Sequence, residues 1–212
     1  MKIGILGSGD VGHALGQGFV GRGHDVMIGS RHPKSESLAK WLKQAKGKAS
    51  TGTYEAAAKH GEVVVLATLG RAAEEVLRLA GASSFEGKVV IDVTNPLAEE
   101  DLVPFVGLTD SLGERVQRKL PDARVVKAFN SVPSTQMVDP KFEGGVPEML
   151  IAGNDRAAKQ TVEGILKEFG WPGAIDIGGI EGARWLEALV PLWVLIGTKL
   201  GRWDHALKVV HG

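Results

Sequence analysis

The stretch that decides the fold is "KIGILGSGDVGHALGQGFVG", residues 2–21. Lys2–Leu6 is a short apolar run of the kind that forms a buried strand, and it ends in Gly7-Ser8-Gly9-Asp10-Val11-Gly12. That hexapeptide is a G-x-G-x-x-G, a weak signal alone. Here it follows a strand and opens a helix, expected over Asp10–Gly21, which is the context the motif requires. Each glycine then has a duty: Gly7 permits the tight turn, Gly9 lets a pyrophosphate approach the backbone, and Gly12 lets the helix pack close to the strand. The helix start adds free N–H groups and the positive end of the dipole. Gly16 and Gly18 each cost the helix about 1 kcal/mol of propensity and read as close-packing positions, not ligand contacts.

The next strand, Asp25–Ile28, ends in Gly29-Ser30-Arg31-His32-Pro33. Ser30 lies 21 positions after Gly9, where an acidic residue would bind the ribose 2′-hydroxyl of NAD. A carboxylate there repels a 2′-phosphate; a hydroxyl beside a guanidinium receives one. Ser30 can hydrogen-bond the phosphate and Arg31 can grip it bidentately, with Lys34 adding charge. The cofactor expected from these residues is NADP(H).

Outward from this unit, strands alternate with helices. Helices are expected over Ser35–Lys46, Thr53–Lys59, Arg71–Ala80 and Asp110–Leu120, and strands over Val63–Ala67, Lys88–Val93 and Arg124–Phe129. The strands are continuous Val/Ile/Leu runs without in–out alternation, which means a parallel sheet covered on both faces. The fold class is therefore α/β: a Rossmann, doubly wound, mostly parallel sheet with a small C-terminal helical extension. Residues 1–142 read as the NADP-binding domain. Residues 143–212 read as a smaller part with strands at Glu148–Ile151 and Ala174–Ile177, a helix at Asp155–Phe169 between them, and a long apolar helix from Glu181. In that helix Trp185, Leu189, Trp193, Ile196 and Leu200 form one stripe, which Leu186, Val190 and Val194 widen to most of the circumference; Pro191 should kink it. A helix apolar nearly all round must be buried, and in so short a chain a second copy is the easiest cover, in addition to its own sheet edge. A homodimer is expected.

Ligands of open α/β sheets collect outside the carboxyl ends of the strands. Ala67, Thr68 and Leu69 should lie over the ribose and pyrophosphate. "DVTNPL" places Asn95 and Pro96, and "VKAFNSVPS" places Asn130, Ser131 and Ser134, past the next two strands, where they would flank a carboxamide-bearing ring. Asn and Pro are also ordinary turn residues.

The whole chain narrows the classes. Its 212 residues carry 25 basic and 25 acidic side chains, so no polyanion-binding surface and no nucleic-acid partner is expected. There is no cysteine, which excludes disulfides and thiolate chemistry. The six histidines show no ligand spacing, and no metal site is expected. No stretch reaches the ~20 apolar residues of a membrane span, and the start leaves no room for a signal peptide, so a cytoplasmic protein is expected. No acid/base dyad is evident: Tyr54, the one tyrosine, falls in the wrong region, and Lys127, Lys199 and Lys208 read as solvated or structural charges. Hydride transfer between two bound rings needs positioning, not an acid or base.

Taken together, "GSGDVG", "IGSR", "DVTNPL", "VVKAFNSVPS" and the late "LVPLWVLIG" resemble the NADP oxidoreductases that use the deazaflavin coenzyme F420. The chain is similar also to the cytoplasmic reductase domain of membrane ferric reductases, which share "KAFN" and a Ser-Arg pair. The resemblance runs nearly end to end. It implies that Gly7 to Gly12 hold the pyrophosphate, Ser30 and Arg31 the 2′-phosphate, and Asn130 to Ser134 the nicotinamide side. A dimer and direct hydride transfer are implied too. The chain departs from the archaeal members at "FNSVP", where they resemble "LHTIP". The acceptor is expected to be an 8-hydroxy-5-deazaflavin, a flavin or another small-molecule redox acceptor. An NADPH-binding sensor without turnover and a small imine or carbonyl reductase are the other two readings.

Overall fold

The computed structural model describes residues 1–97, 108–210 and 212. Among them eight strands form one sheet: β1 (Lys2–Leu6), β2 (Asp25–Gly29), β3 (Ala49–Gly52), β4 (Val63–Leu66), β5 (Val89–Asp92), β6 (Arg124–Lys127), β7 (Met149–Gly153) and β8 (Ala174–Asp176). Their order is β3-β2-β1-β4-β5-β6-β7-β8, and all neighbours pair in parallel except β6 with β7. The chain runs outward from β1 to β3 and then crosses back to β4, so the switch point lies between β1 and β4.

Among the described residues, six α-helices connect the strands and a seventh follows β8: α1 (Asp10–Gly21), α2 (Glu36–Gln44), α3 (Tyr54–His60), α4 (Gly70–Ala80), α5 (Leu112–Lys119), α6 (Arg156–Glu168) and α7 (Ala183–Leu200). Local chemistry sets where several begin. The side chains of Ser35, Thr53, Ser111 and Asp155 each accept a hydrogen bond from a first-turn amide, satisfying donors the helix cannot. The two faces of the sheet carry separate cores. Leu15, Phe19, Trp41, Val162 and Phe169 cover one, and Ala57, Val76, Leu77, Leu112 and Val116 the other. Gly16 and Gly18 inside α1 sit where side chains come close: a Cβ on Gly16 would meet the Trp41 ring at 2.8 Å, and one on Gly18 would meet a Val138 methyl at 2.5 Å.

The register aligns the strand ends. Gly52 pairs with Gly29, Gly29 with Leu6, Leu6 with Leu66, Leu66 with Asp92, and Asp92 with Lys127. These last residues form one row across the sheet, from which six loops rise at the same level.

The structure adds one strand to the sequence expectations and corrects the last helix. The edge strand β3 carries the weakly apolar "ASTG", which hydrophobic patterning does not reveal. The two strands expected after residue 143, β7 and β8, extend the sheet. In α7 the inward face is Leu186, Glu187, Val190, Val194 and Gly197, whereas Trp185, Leu195 and Leu200 point out at 59%, 62% and 59% exposure. The helix runs on through Pro191.

Candidate functional site

The glycine loop turns at Gly7, whose φ of 133° is open to glycine and strained for other residues. A Cβ on Gly7 would lie 2.2 Å from the Ala67 carbonyl, so the loops after β1 and β4 touch through this residue. Gly12 sits equally close to the Gly7 carbonyl, 2.1 Å from its own notional Cβ. Gly9, the N-cap of α1, is different: nothing lies within 4 Å of its Cβ position, and no side chain caps the helix. The first amides of α1 therefore face open space with no intrahelical acceptor.

That space is a cleft of about 480 Å³ at the switch point. Gly7, Ser8, Gly9, Asp10 and Val11 form one wall, and Ala67, Thr68 and Leu69 form another. Arg31 closes the end beyond β2. Thr68 Oγ1 is buried here with no hydrogen-bond partner, a polar atom left for a ligand. Ser30 is buried behind the cleft and touches it through Ser8, whose Oγ donates to Ser30 Oγ at 3.3 Å; the His32 amide also donates to Ser30 Oγ at 3.1 Å. Lys34 is exposed and does not line the cleft.

Sequence reasoning missed Tyr54, Ala72, Val76 and Leu79, which give the Arg31 end an apolar lining. Tyr54 comes up beside Ser30 because the Ser30 amide donates to the Gly52 carbonyl, the end of β3. Without β3 in view, no signal brings Tyr54 there.

Asn95, Pro96, Asn130, Ser131 and Ser134 rise from the ends of β5 and β6, outside the residues that line the cleft. Gly70, at the start of α4, brings the loop after β4 against the loop after β5: its notional Cβ would sit 2.0 Å from the Asn95 carbonyl. The two asparagine side chains bond each other. Asn95 Nδ2 donates to the Asn130 carbonyl at 2.7 Å, and Asn130 Nδ2 donates to Asn95 Oδ1 at 3.0 Å and to the Leu186 carbonyl of α7 at 2.8 Å. Phe129, just before, holds a left-handed backbone, φ 62°, although fully buried. Such strain persists only where the surroundings over-determine it, and it clusters at functional sites.

Beneath this pair Lys127 is a structural charge, not a solvated one. Lys127 is fully buried. Its Nζ contacts Asp92 Oδ2 at 3.0 Å, Glu187 Oε1 at 2.8 Å and the Thr94 carbonyl at 2.6 Å. Asp92 Oδ1 accepts from the Thr94 amide and hydroxyl. Glu187 accepts from the Leu112 and Gly113 amides at the N-terminus of α5. Burial pulls the Lys127 ammonium toward neutrality, but the Asp92 and Glu187 carboxylates more than offset that and hold it above the usual lysine range. Nearby, Arg184 clasps Glu114 with two bonds, which holds the Glu114 carboxyl below its usual range.

With this geometry in view, the likeness to known proteins is specific. A sequence model described as "NADP oxidoreductase coenzyme F420-dependent" matches residues 2–96. The F420-dependent NADP reductase of Methanothermobacter marburgensis is 34% identical over 220 residues, spanning 94% of this chain and 93% of that one. The chain belongs to this family of NADP-dependent oxidoreductases. A putative F420-dependent NADP reductase from Arthrobacter sp. FB24 superposes on all of it, with a TM-score of 0.94 and 35% identity. The metalloreductase STEAP3 of Rattus norvegicus is 33% identical over 91% of this chain, which spans 38% of that longer protein. Among the described residues, no helix is long and apolar enough to cross a membrane.

Proposed function

We propose that this chain is a reductase that moves a hydride between NADP(H) and a ring acceptor, the deazaflavin coenzyme F420 or a flavin. The observation that carries the cofactor half is Arg31. It stands at the end of the cleft that the glycine loop opens, with a serine where a carboxylate would select NAD. The open Gly9, the uncapped start of α1 and the unpartnered Thr68 hydroxyl fit a dinucleotide in that cleft. When bound, NADPH supplies the hydride.

The residues divide the work as follows. The backbone of Gly7 to Gly12 holds the pyrophosphate on the helix N-terminus. Arg31 binds the 2′-phosphate, with Ser30 fixing the loop and Lys34 adding long-range charge. Ala67, Thr68 and Leu69 cover the ribose. Asn95, Pro96, Asn130, Ser131 and Ser134 shape the nicotinamide end. There the two asparagines act as a mutual brace, because their side-chain amides are spent on each other and on α7. Residues 1–142 thus carry the cofactor, and residues 143–212 close the acceptor side. The acceptor half rests on family membership.

The outer face of α7 supports a homodimer. Trp185, Leu192 and Leu195 are exposed on one helix, a patch that a monomer rarely leaves in water. We place this dimer in the cytoplasm.

The test of turnover is to mix the NADPH-loaded protein with F420, FMN or riboflavin and follow NADPH absorbance. Oxidation with one of them is expected. NADPH binding without oxidation by any ring acceptor would leave a cofactor-binding module in place of an enzyme.

A further inference from the structure

The buried cluster at the ends of β5 and β6 holds more acid than base. Every bond made to Asp92 and Glu187 comes from a donor: the Lys127 ammonium, the Thr94 amide and hydroxyl, and the Leu112 and Gly113 amides. A protonated carboxyl would need an acceptor for its own hydrogen, and the surroundings give it donors instead. Two carboxylates therefore face one ammonium, and a negative charge is left over in a site closed to water. The N-terminus of α5 offers only about half a positive charge against it. The neighbouring Arg184 is matched by Glu114.

Its place gives that charge a use. Asp92 and Lys127 belong to the row of strand ends that also holds Leu6 and Leu66. Neighbouring strands lie about 4.8 Å apart, so the cluster sits roughly one to two strand spacings from the floor of the cleft. It underlies the Asn95–Asn130 brace, and Glu187 follows the residue whose carbonyl Asn130 grips. In a doubly wound sheet the second half of a dinucleotide extends over this side.

We propose that the surplus charge of the Asp92–Lys127–Glu187 cluster tunes the site toward the oxidised nicotinamide. This rests on the cofactor reading above. Loss of a hydride breaks the ring's C4–H bond and removes both its electrons. The nicotinamide is oxidised and left cationic; the ring acceptor is reduced, gaining the hydride at C5 of a deazaflavin or N5 of a flavin and a proton from water at N1. A fixed negative charge nearby stabilises that cation, and does so without reorganisation, because its groups are already bonded in place.

The test is a pair of affinities, not a rate. Dissociation constants for NADP+ and NADPH would be measured by titration for the wild type, Glu187→Gln, Asp92→Asn and the double variant Lys127→Met/Glu187→Gln. Each single variant removes the surplus charge, and the ratio Kd(NADP+)/Kd(NADPH) should rise roughly tenfold, the effect of a unit charge at about 10 Å and an effective dielectric near 20. The double variant again carries one surplus negative charge and should return the ratio to within about threefold of wild type. A purely structural role would weaken both forms together and leave the ratio fixed. An unchanged ratio in the single variants, or a double variant that keeps the raised ratio, overturns the proposal. If Glu187→Gln fails to fold, the Asp92→Asn ratio decides. A wild type that binds neither form would sink the cofactor reading itself.

Discussion

Asn95 and Asn130, 35 residues apart, are joined by two hydrogen bonds across the gap between the loops after β5 and β6. Because Asn130 also grips the Leu186 carbonyl, one side chain ties two loops to α7. Removing it as Asn130→Ala deletes two bonds, each worth about 1 kcal/mol, and strands Asn95 Oδ1 and the buried Leu186 carbonyl. Urea unfolding should show a loss of about 2–3 kcal/mol. Amide exchange should quicken first in the opening turns of α7. Stability equal to wild type would mean that the brace is dispensable.

Arg31 decides between the two dinucleotides. Arg31→Ala should weaken NADPH binding by one to two orders of magnitude, the range of a charge-assisted phosphate contact, and leave NADH nearly unaffected. Ser30→Asp should go further and invert the preference. Paired titrations with NADPH and NADH check both. Equal affinity for the two cofactors in the wild type would refute the NADP assignment.

Two glycines of the loop should fail in opposite ways. Gly9→Ala puts a methyl into open space, so its melting temperature should match wild type while NADPH affinity falls at least about tenfold, since the methyl occupies the approach to the backbone. Gly12→Ala drives a methyl against the Gly7 carbonyl and should cost about 3 kcal/mol of folding stability or more. Calorimetry with a cofactor titration separates the two. A Gly9→Ala protein that binds normally would remove the glycine loop from the site.

His13 gives a pH signature. Its ring stacks on Trp41, and its Nε2 is buried without a partner. Burial, partly offset by Asp10, holds its pKa below the ordinary 6.5. The folded chain thus takes up this proton less readily than the unfolded chain. The His13 contribution is intact above 6.5 and declines as the pH falls through that value. His13→Phe, which keeps a ring against Trp41, should flatten the fall in melting temperature between about pH 7.5 and about pH 5.5. Identical slopes for the two proteins would contradict it.

The dimer is tested on the face that α7 turns outward. Leu192→Glu with Leu195→Glu should convert a dimer to a monomer in solution, read by light scattering, with little change in the monomer's fold because both side chains are already exposed. A wild type that is monomeric at working concentration refutes the homodimer.

How far the sequence reveals all this depends on whether the signal is local. The glycine loop and the valine-rich strands announce themselves because turn sterics and burial act within a few residues. β3 does not, since "ASTG" is a half-buried edge strand held by pairing to β2. α7 is apolar on both sides, so periodicity alone does not choose the inner face. Glu187 chooses it, because it meets Lys127, and that partnership has no spacing to read. Lys127 itself sits in a strand and resembles any structural lysine until Asp92, 35 residues earlier, is found beside it.

The buried trio also constrains how the protein can change. Asp92, Lys127 and Glu187 come from two strands and the last helix, and burial leaves water unable to replace any one of them. Loss of Lys127 alone strands both carboxylates in the interior at a cost of about 3–5 kcal/mol, a large share of a typical domain's stability. Exchange of all three for well-packed apolar side chains need cost nothing. The three positions therefore form one heritable unit. Descendant sequences should keep the set or replace it whole, and those with only part of it should carry a compensating change at the start of α5.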